Sequence, residues 1–211
     1  MREKIATMTN HVSAYYDRIY SENRTTFGTA PVPLVEKVLN CINSGRAIEF
    51  GAGEGRNSLF LASKGFQVTA IDISSAAIEK IKERAEAERI VVDAKVADIT
   101  QLEPTDTYDL VVCTFTLHHL ARNQALDFLE KMKRCTRSGG FNLVTSFTKS
   151  GDFYRKNPNT DKFYLDEHEL KNLYSDWEVV TYFEKEGKAF AKHPDGTPMS
   201  NVVAGIIARR L

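Results

Sequence analysis

Apolar runs that alternate with segments of helical period predict a doubly wound α/β fold, with a parallel sheet covered by helices on both faces. Two observations extend this. A glycine-rich turn follows the first run, and the last two β-rich runs have no helix between them. The runs at 47–50, 68–71, 90–96, 110–113 and 141–147 are near-continuous in apolar residues, as strands buried on both faces are. Between them, Ile78, Ile81 and Ala85 follow a Ser74-Ser75 helix start, and Phe128, Met132 and Cys135 recur at helical spacing. Right-handed crossovers then give helix, sheet and helix in three layers. A further helix is expected over 166–174. The runs at 177–183 and 202–208 should pair as an antiparallel hairpin, which makes seven strands in all. The stretch 184–201, with Pro194, Gly196 and Pro198, reads as a long loop, as does 149–161. Two helices over 10–20 and 32–42 precede the first strand. Residues 1–44 are thus read as a helical cap, and 45–211 as the main domain with lid insertions near 149–165 and 184–201.

The chain has 211 residues, 42% of them hydrophobic, with 28 basic residues against 28 acidic ones. That balance excludes disorder. It also argues against nucleic acid or anionic lipid as the main partner, since both require a basic excess. No stretch approaches the roughly 20 apolar residues that span a bilayer. The first residues lack the apolar core of an export signal, so a cytoplasmic protein is expected, as a monomer or homodimer. Cys41, Cys113 and Cys135 form no CxxC pair and are expected to be buried free thiols.

The chemistry is concentrated in Glu49-Phe50-Gly51-Ala52-Gly53-Glu54-Gly55-Arg56-Asn57, which ends the first strand and opens a helix. Glycines there let a nucleotide-type ligand lie against main-chain N–H groups. A dinucleotide turn, G-x-G-x-x-G, would place its third glycine at Arg56 and would not carry the charge of Glu49 beside a pyrophosphate. Asp72 ends the second strand and either accepts ribose hydroxyls or caps the helix that follows. Asp98, after the third strand, is either a turn residue or an acceptor for an adenine amino group, with Ile99 against the ring. Three acids at successive strand ends face the crevice where open α/β sheets bind ligands.

In this order, the glycine turn and the acids at 72 and 98 resemble the class I S-adenosylmethionine-dependent methyltransferases, a Rossmann-like fold whose last strand is antiparallel. A narrower resemblance is to the tellurite-resistance methyltransferases. It is carried by Gly55-Arg56-Asn57-Ser58-Leu59-Phe60-Leu61-Ala62, by the stretch from Arg134 to Val144, and by Glu167, Glu169-Leu170, Tyr174 and Trp177-Glu178. The resemblance implies S-adenosyl-L-methionine as methyl donor, S-adenosyl-L-homocysteine as product and a small-molecule acceptor. It implies cofactor contacts from Glu49, Gly51, Ala52, Gly53, Arg56, Asn57, Asp72, Ile73, Asp98, Ile99, Thr114 and Phe115, with Tyr20 over them. One departure stands out. Where the family has a His-Arg pair held to act at the substrate, this chain has Phe190-Ala191, with Lys192 and His193 two residues on.

Displacement at a sulfonium mainly requires alignment, and a base only if the acceptor carries a proton. An acceptor such as a thiol or a chalcogen oxyanion (tellurite or selenite) fits that chemistry. Candidate catalytic groups are His118 and His119 at the end of the fourth strand, and His193 in the later loop. The histidine pair is either a base or local packing, and no metal is expected there. His11 and His168 are read as solvated. Tyr15, Tyr16, Tyr20, Phe153, Tyr154, Phe163 and Tyr164 are read as lid aromatics. Lys149, Arg155, Lys156 and Lys162 are either an anion-attracting group or a solvated face. An NAD-dependent oxidoreductase and a non-catalytic cofactor-binding protein are the alternatives.

Overall fold

The structure, a computed structural model, describes residues 2–22, 25–103 and 105–211, with side chains for all of these except 2–11 and 188–190. The side chains of His11 and Phe190 therefore lie outside the described residues. Seven strands form one sheet in the order β3-β2-β1-β4-β5-β7-β6. They are β1 (Gly45–Phe50), β2 (Phe66–Asp72), β3 (Val92–Val96), β4 (Tyr108–Thr114), β5 (Thr136–Phe147), β6 (Glu178–Lys192) and β7 (Pro198–Arg209). The first five run parallel, and β7 is antiparallel to both of its neighbours. The doubly wound, Rossmann-like expectation holds. Strand order reverses between β1 and β4, the switch point at which such sheets bind ligands.

The helices are α1 (Arg2–Glu22), α2 (Pro33–Val38), α3 (Arg56–Ser63), α4 (Ser75–Glu88), α5 (Arg122–Arg134), α6 (Asp152–Arg155) and α7 (Glu169–Leu173). All seven residues of β4 are buried, and the strand divides them by alternation. Leu110 and Val112 pack with Val35 and Val38 of α2. Val111 and Cys113 pack with Phe128 and Met132 of α5. Period-two side chains between two helical layers explain why this strand reads as an unbroken apolar run. Among the described residues, no helix is long and apolar enough to cross a membrane.

Several expectations are corrected. The stretch 184–201 is mostly ladder, with β6 and β7 pairing from Glu178↔Arg209 to Lys192↔Pro198. Only His193–Thr197 turns, with Gly196 at φ 85°. Pro198, lacking an N–H, opens β7, a position where a strand tolerates it. The stretch 149–165 contains α6, and its end is core: Phe163 and Leu165 are fully buried. Leu165 N donates to Phe147 O, and Phe163 N to Leu120 O. Phe163 is thus a core aromatic, not a lid residue. β3 is an edge strand with Val96 exposed, as is Val91 just before it, and Cys41 is exposed while Cys113 and Cys135 are buried.

Phe128 is 1% exposed and meets the Phe50 ring edge-on at 5.0 Å. Phe128→Ala should lower stability by about 3–5 kcal/mol through the cavity it leaves. A urea titration should show a lower midpoint with unchanged slope.

Candidate active site

The end of β1 turns sharply because its carbonyl and amide partners lie in the neighbouring strand. Gly51 N and Ala52 N both donate to Ile71 O, at 2.8 and 2.9 Å. Gly51 has φ 72°, and a Cβ there would fall on the Thr116 side chain, so only glycine fits. The turn continues onto Asp72: Gly53 N donates to its Oδ2 at 2.7 Å, and Ser74 N to its Oδ1 at 2.9 Å. Asp72 therefore both braces the glycine turn and caps the approach to α4. Burial raises its carboxyl above the usual carboxylate range, against those main-chain donors.

Glu49 lies beneath the turn and is 1% exposed. Its oxygens accept from Asn57 Nδ2 at 2.7 Å and from Ser58 Oγ at 2.6 Å, both in the first turn of α3. Asn57 Nδ2 also donates to Thr114 Oγ1 at 3.1 Å, and Asn57 Oδ1 accepts from Val32 N at 2.8 Å. Arg56 donates from Nη1 to Phe27 O. At the end of β3, Asp98 Oδ1 accepts from Thr100 N and Thr100 Oγ1, so the acid terminates its strand in an Asx-type turn. Ala97 N donates to Asp72 O, joining the ends of β2 and β3, and Ile99 is buried. The acids thus stand at the carboxyl ends of three adjacent strands.

Helix α1 roofs this crevice. Ser13 Oγ donates to Ile73 O at 3.3 Å. Asp17 Oδ1 accepts from Ser74 Oγ at 2.6 Å and from Ala76 N at 3.1 Å, at the start of α4. Tyr20, 5% exposed, places its hydroxyl 2.9 Å from where a Cβ on Gly53 would be. Tyr16 stacks on Tyr20 at 5.5 Å and brings its hydroxyl within 2.9 Å of His119 Nε2. Burial pushes the Tyr16 phenol up to about 12, so it stays protonated. Tyr15, by contrast, is 52% exposed.

At the β4 end, Phe115 adopts φ 53°, uncommon for a bulky side chain, with its N–H on Thr145 O. His118 and His119 form a 3-10 turn directly after it. Their rings are 3.9 Å apart, and His118 meets Phe147 at 4.8 Å. Phe147 in turn contacts Phe115 and Phe153. Burial, then neighbouring His119 and Lys162, lowers His118 well below its ordinary value. Burial and Lys162 lower His119 to about 4. Both rings are neutral at pH 7.

His193 opens the β6–β7 turn, with Nε2 3.1 Å from Asp152 Oδ2 of α6. The basic loop residues are mostly paired: Lys149 with Asp166, Arg155 with Asp152, and Lys162 Nζ with His119 O. Sequence reading missed Asp17, whose role depends on a helix packing 57 residues away. His168 is exposed, as expected, and sequence reading missed only its grouping with Glu167 and Glu184, where Glu184 accepts from His168 N and the Tyr182 hydroxyl.

In the folded chain, burial pushes Glu49 up to about 7 from an ordinary 4.5, against the Ser58 and Asn57 donors that oppose it. Between those values the folded state binds the extra proton, so stability falls as pH rises through that window, by about 3 kcal/mol in total. Glu49→Gln should remove this slope. Urea titrations at pH 5 and pH 8 would show it, and a wild-type difference retained in the variant would exclude Glu49 as its source.

Comparison with known proteins gives the same picture. The family model described as "Tellurite resistance protein TehB" matches residues 11–201. "Hemagglutinin 1" of Eikenella corrodens is 29% identical over 186 residues, covering 88% of this chain and 60% of that protein. The "Probable S-adenosyl-L-methionine-dependent methyltransferase TehB" of Haemophilus influenzae is 30% identical over 165 residues, covering 78% of this chain and 57% of its own length. The chain thus spans about three fifths of the length of these relatives. The crystal structure of TehB from Haemophilus influenzae superposes with a TM-score of 0.79 at 27% identity, over 93% of this chain and 67% of that one. With the strand order, the glycine turn and the acids of β1 to β3, these matches place the chain in the TehB family of class I S-adenosylmethionine-dependent methyltransferases.

Proposed function

We propose that this chain binds S-adenosyl-L-methionine at the carboxyl ends of β1, β2 and β3 and catalyses methyl transfer to a small polarisable acceptor, a chalcogen oxyanion or a thiol. The observation that carries this reading is the main-chain turn at Gly51–Gly53 held onto Asp72, with Glu49 and Asp98 at the adjacent strand ends. When bound, the cofactor supplies a methyl group already activated on a sulfonium.

The residues fit such a ligand. Gly51 and Gly53 keep the turn free of side chains where a nucleoside must lie close. Asp72 and Asp98 offer carboxylate oxygens for ribose hydroxyls and an adenine amino group, and the buried Ile99 flanks Asp98. Glu49, its oxygens already bonded to Asn57 and Ser58, fixes the start of α3 beneath the turn. Arg56 opens α3 and is placed to pair with a carboxylate. Thr114 and Phe115 bound the crevice on the β4 side. Tyr16 and Tyr20 offer ring faces to a sulfonium and exclude water above it. Because Tyr20 lies over Gly53, α1 acts as a lid that must shift for a ligand to enter and then close again.

Labelled-methyl transfer from S-adenosyl-L-methionine to tellurite, selenite and a thiol panel tests the reaction, and calorimetry with S-adenosyl-L-homocysteine tests the site. Asp72→Asn should weaken that binding about tenfold to a hundredfold, the loss of about 1.5–3 kcal/mol expected for a hydrogen bond to a charged group. Unchanged affinity in a folded Asp72→Asn protein would move the ribose site elsewhere.

A further inference from the structure

Helix α1 carries two side-chain rows at i, i+4 spacing, and the two rows have different surroundings. Ser13 and Asp17 form one row, which rests on the start of α4. Ser13 Oγ donates to Ile73 O, and Asp17 Oδ1 accepts from Ser74 Oγ, Ser75 Oγ and Ala76 N. Tyr16 and Tyr20 form the next row, over the crevice. Tyr16 reaches His119 at 2.9 Å, and its ring stacks on Tyr20 at 5.5 Å. Tyr20 is 5% exposed, and its hydroxyl lies 2.9 Å from where a Gly53 Cβ would stand. Non-bonded carbon atoms keep about 3.5–4.0 Å apart, so no further group fits between that hydroxyl and the turn. Burial raises the Tyr20 phenol above its ordinary value, and the nearby Asp72 carboxylate raises it further. A nucleoside that lies on Gly53 and bonds Asp72 therefore needs the space that Tyr20 holds.

Resting on the cofactor reading above, we propose that Tyr20 is an internal competitor for the nucleoside, and that α1 admits the cofactor by rolling on its Ser13–Asp17 row, which withdraws the Tyr16–Tyr20 row from the crevice. The division of hydrogen bonds supports this motion. On the α4 side, a carboxylate accepts from several donors at a helix start, where negative charge is favoured. On the β4 side, Tyr16 and His119 meet as neutral groups, the weaker kind of hydrogen bond. The β4 side therefore opens and the α4 side stays. Only molecules with α1 rolled back can bind, so apparent affinity is reduced by the fraction that is open. Once a ligand lies on the turn, the same two rings close above it and slow its release. One row of side chains thus fills the empty crevice and covers the occupied one.

Two variants test this: Tyr20→Ala, which removes the competitor, and Tyr16→Phe, which keeps a ring but loses the bond to His119. Surface plasmon resonance with S-adenosyl-L-homocysteine reads association and dissociation separately. With an open state populated to about 10% or less, association should rise at least about tenfold in Tyr20→Ala. Tyr16→Phe, a one-atom deletion that tests the motion even if Tyr20→Ala folds poorly, should raise both rates several-fold. A readout independent of rates is ¹⁹F NMR of protein carrying 3-fluorotyrosine. The resonance absent from Tyr20→Phe should move when S-adenosyl-L-homocysteine is added. Unchanged association in folded Tyr20→Ala, or a Tyr20 resonance that the ligand leaves in place, would overturn the competitor role. Faster association in Tyr20→Ala with both rates unchanged in Tyr16→Phe would overturn the rolling motion. Failure of the wild type and both variants to bind S-adenosyl-L-homocysteine would instead refute the cofactor reading itself.

Discussion

The side-chain amide of Asn57 joins four parts of the chain that are distant in sequence. It accepts from the backbone at Val32, before α2, and donates to Glu49 at the end of β1 and to Thr114 at the end of β4. Asn57 itself is the second residue of α3. No apolar residue could make these links, because each partner is a buried polar group that would otherwise be unsatisfied. The network sets where α3 begins relative to the sheet, and hence the shape of the turn from Gly51 to Gly55. Every proposed cofactor contact on β1 and β4 follows from that placement. The buried carboxyl of Glu49 can be kept because Asn57 and Ser58 supply donors for it, so its cost is tied to the same network.

A second layer of polar contacts lies above the turn. Asp17 reaches from α1 to the start of α4, where unpaired N–H groups and Ser74 favour a negative charge. Its hydrogen bonds to Ser74, Ala76, Ser75 and Ser13 hold its carboxyl below the usual range although burial alone would raise it. Tyr16 makes the other attachment, to His119. The roof is thus fixed at one point to the start of α4 and at another to the turn after β4. Its position reports on both.

The parts of this arrangement legible in the sequence are those set by local pattern. Strands β1, β2, β4 and β5 are buried between helical layers, so their composition alone marks them. The glycine turn and the acids of β1 to β3 are set by spacing. The full length of β6 and β7 was not legible, because their outer ends pair through main-chain groups while side chains such as Lys185 and Glu186 remain polar and solvent-facing. Phe163 looks like a loop aromatic until the bridge between Thr148 and Leu165 carries it into the core. The bond between Tyr16 and His119 spans 103 residues, and no pattern within either segment points to the other. Asp98 shows the limit from the other side. Its turn geometry and its proposed ligand contact require the same residue, so sequence could not separate them.

The position of β7 affects how the sheet can be assembled. It lies between β5 and β6, yet it follows both in the chain. Until residues 198–209 have been synthesised, β6 has no ladder partner, and one side of β5 stays unpaired beside a finished parallel half. A ribosome-bound intermediate would therefore present an apolar strand edge, Phe141 to Phe147, to any other nascent chain nearby, the kind of exposure that favours aggregation and chaperone engagement. Closure of that edge waits on β7, which pairs with both β5 and β6. It makes the last strand a control point for the yield of folded protein as well as a part of its architecture.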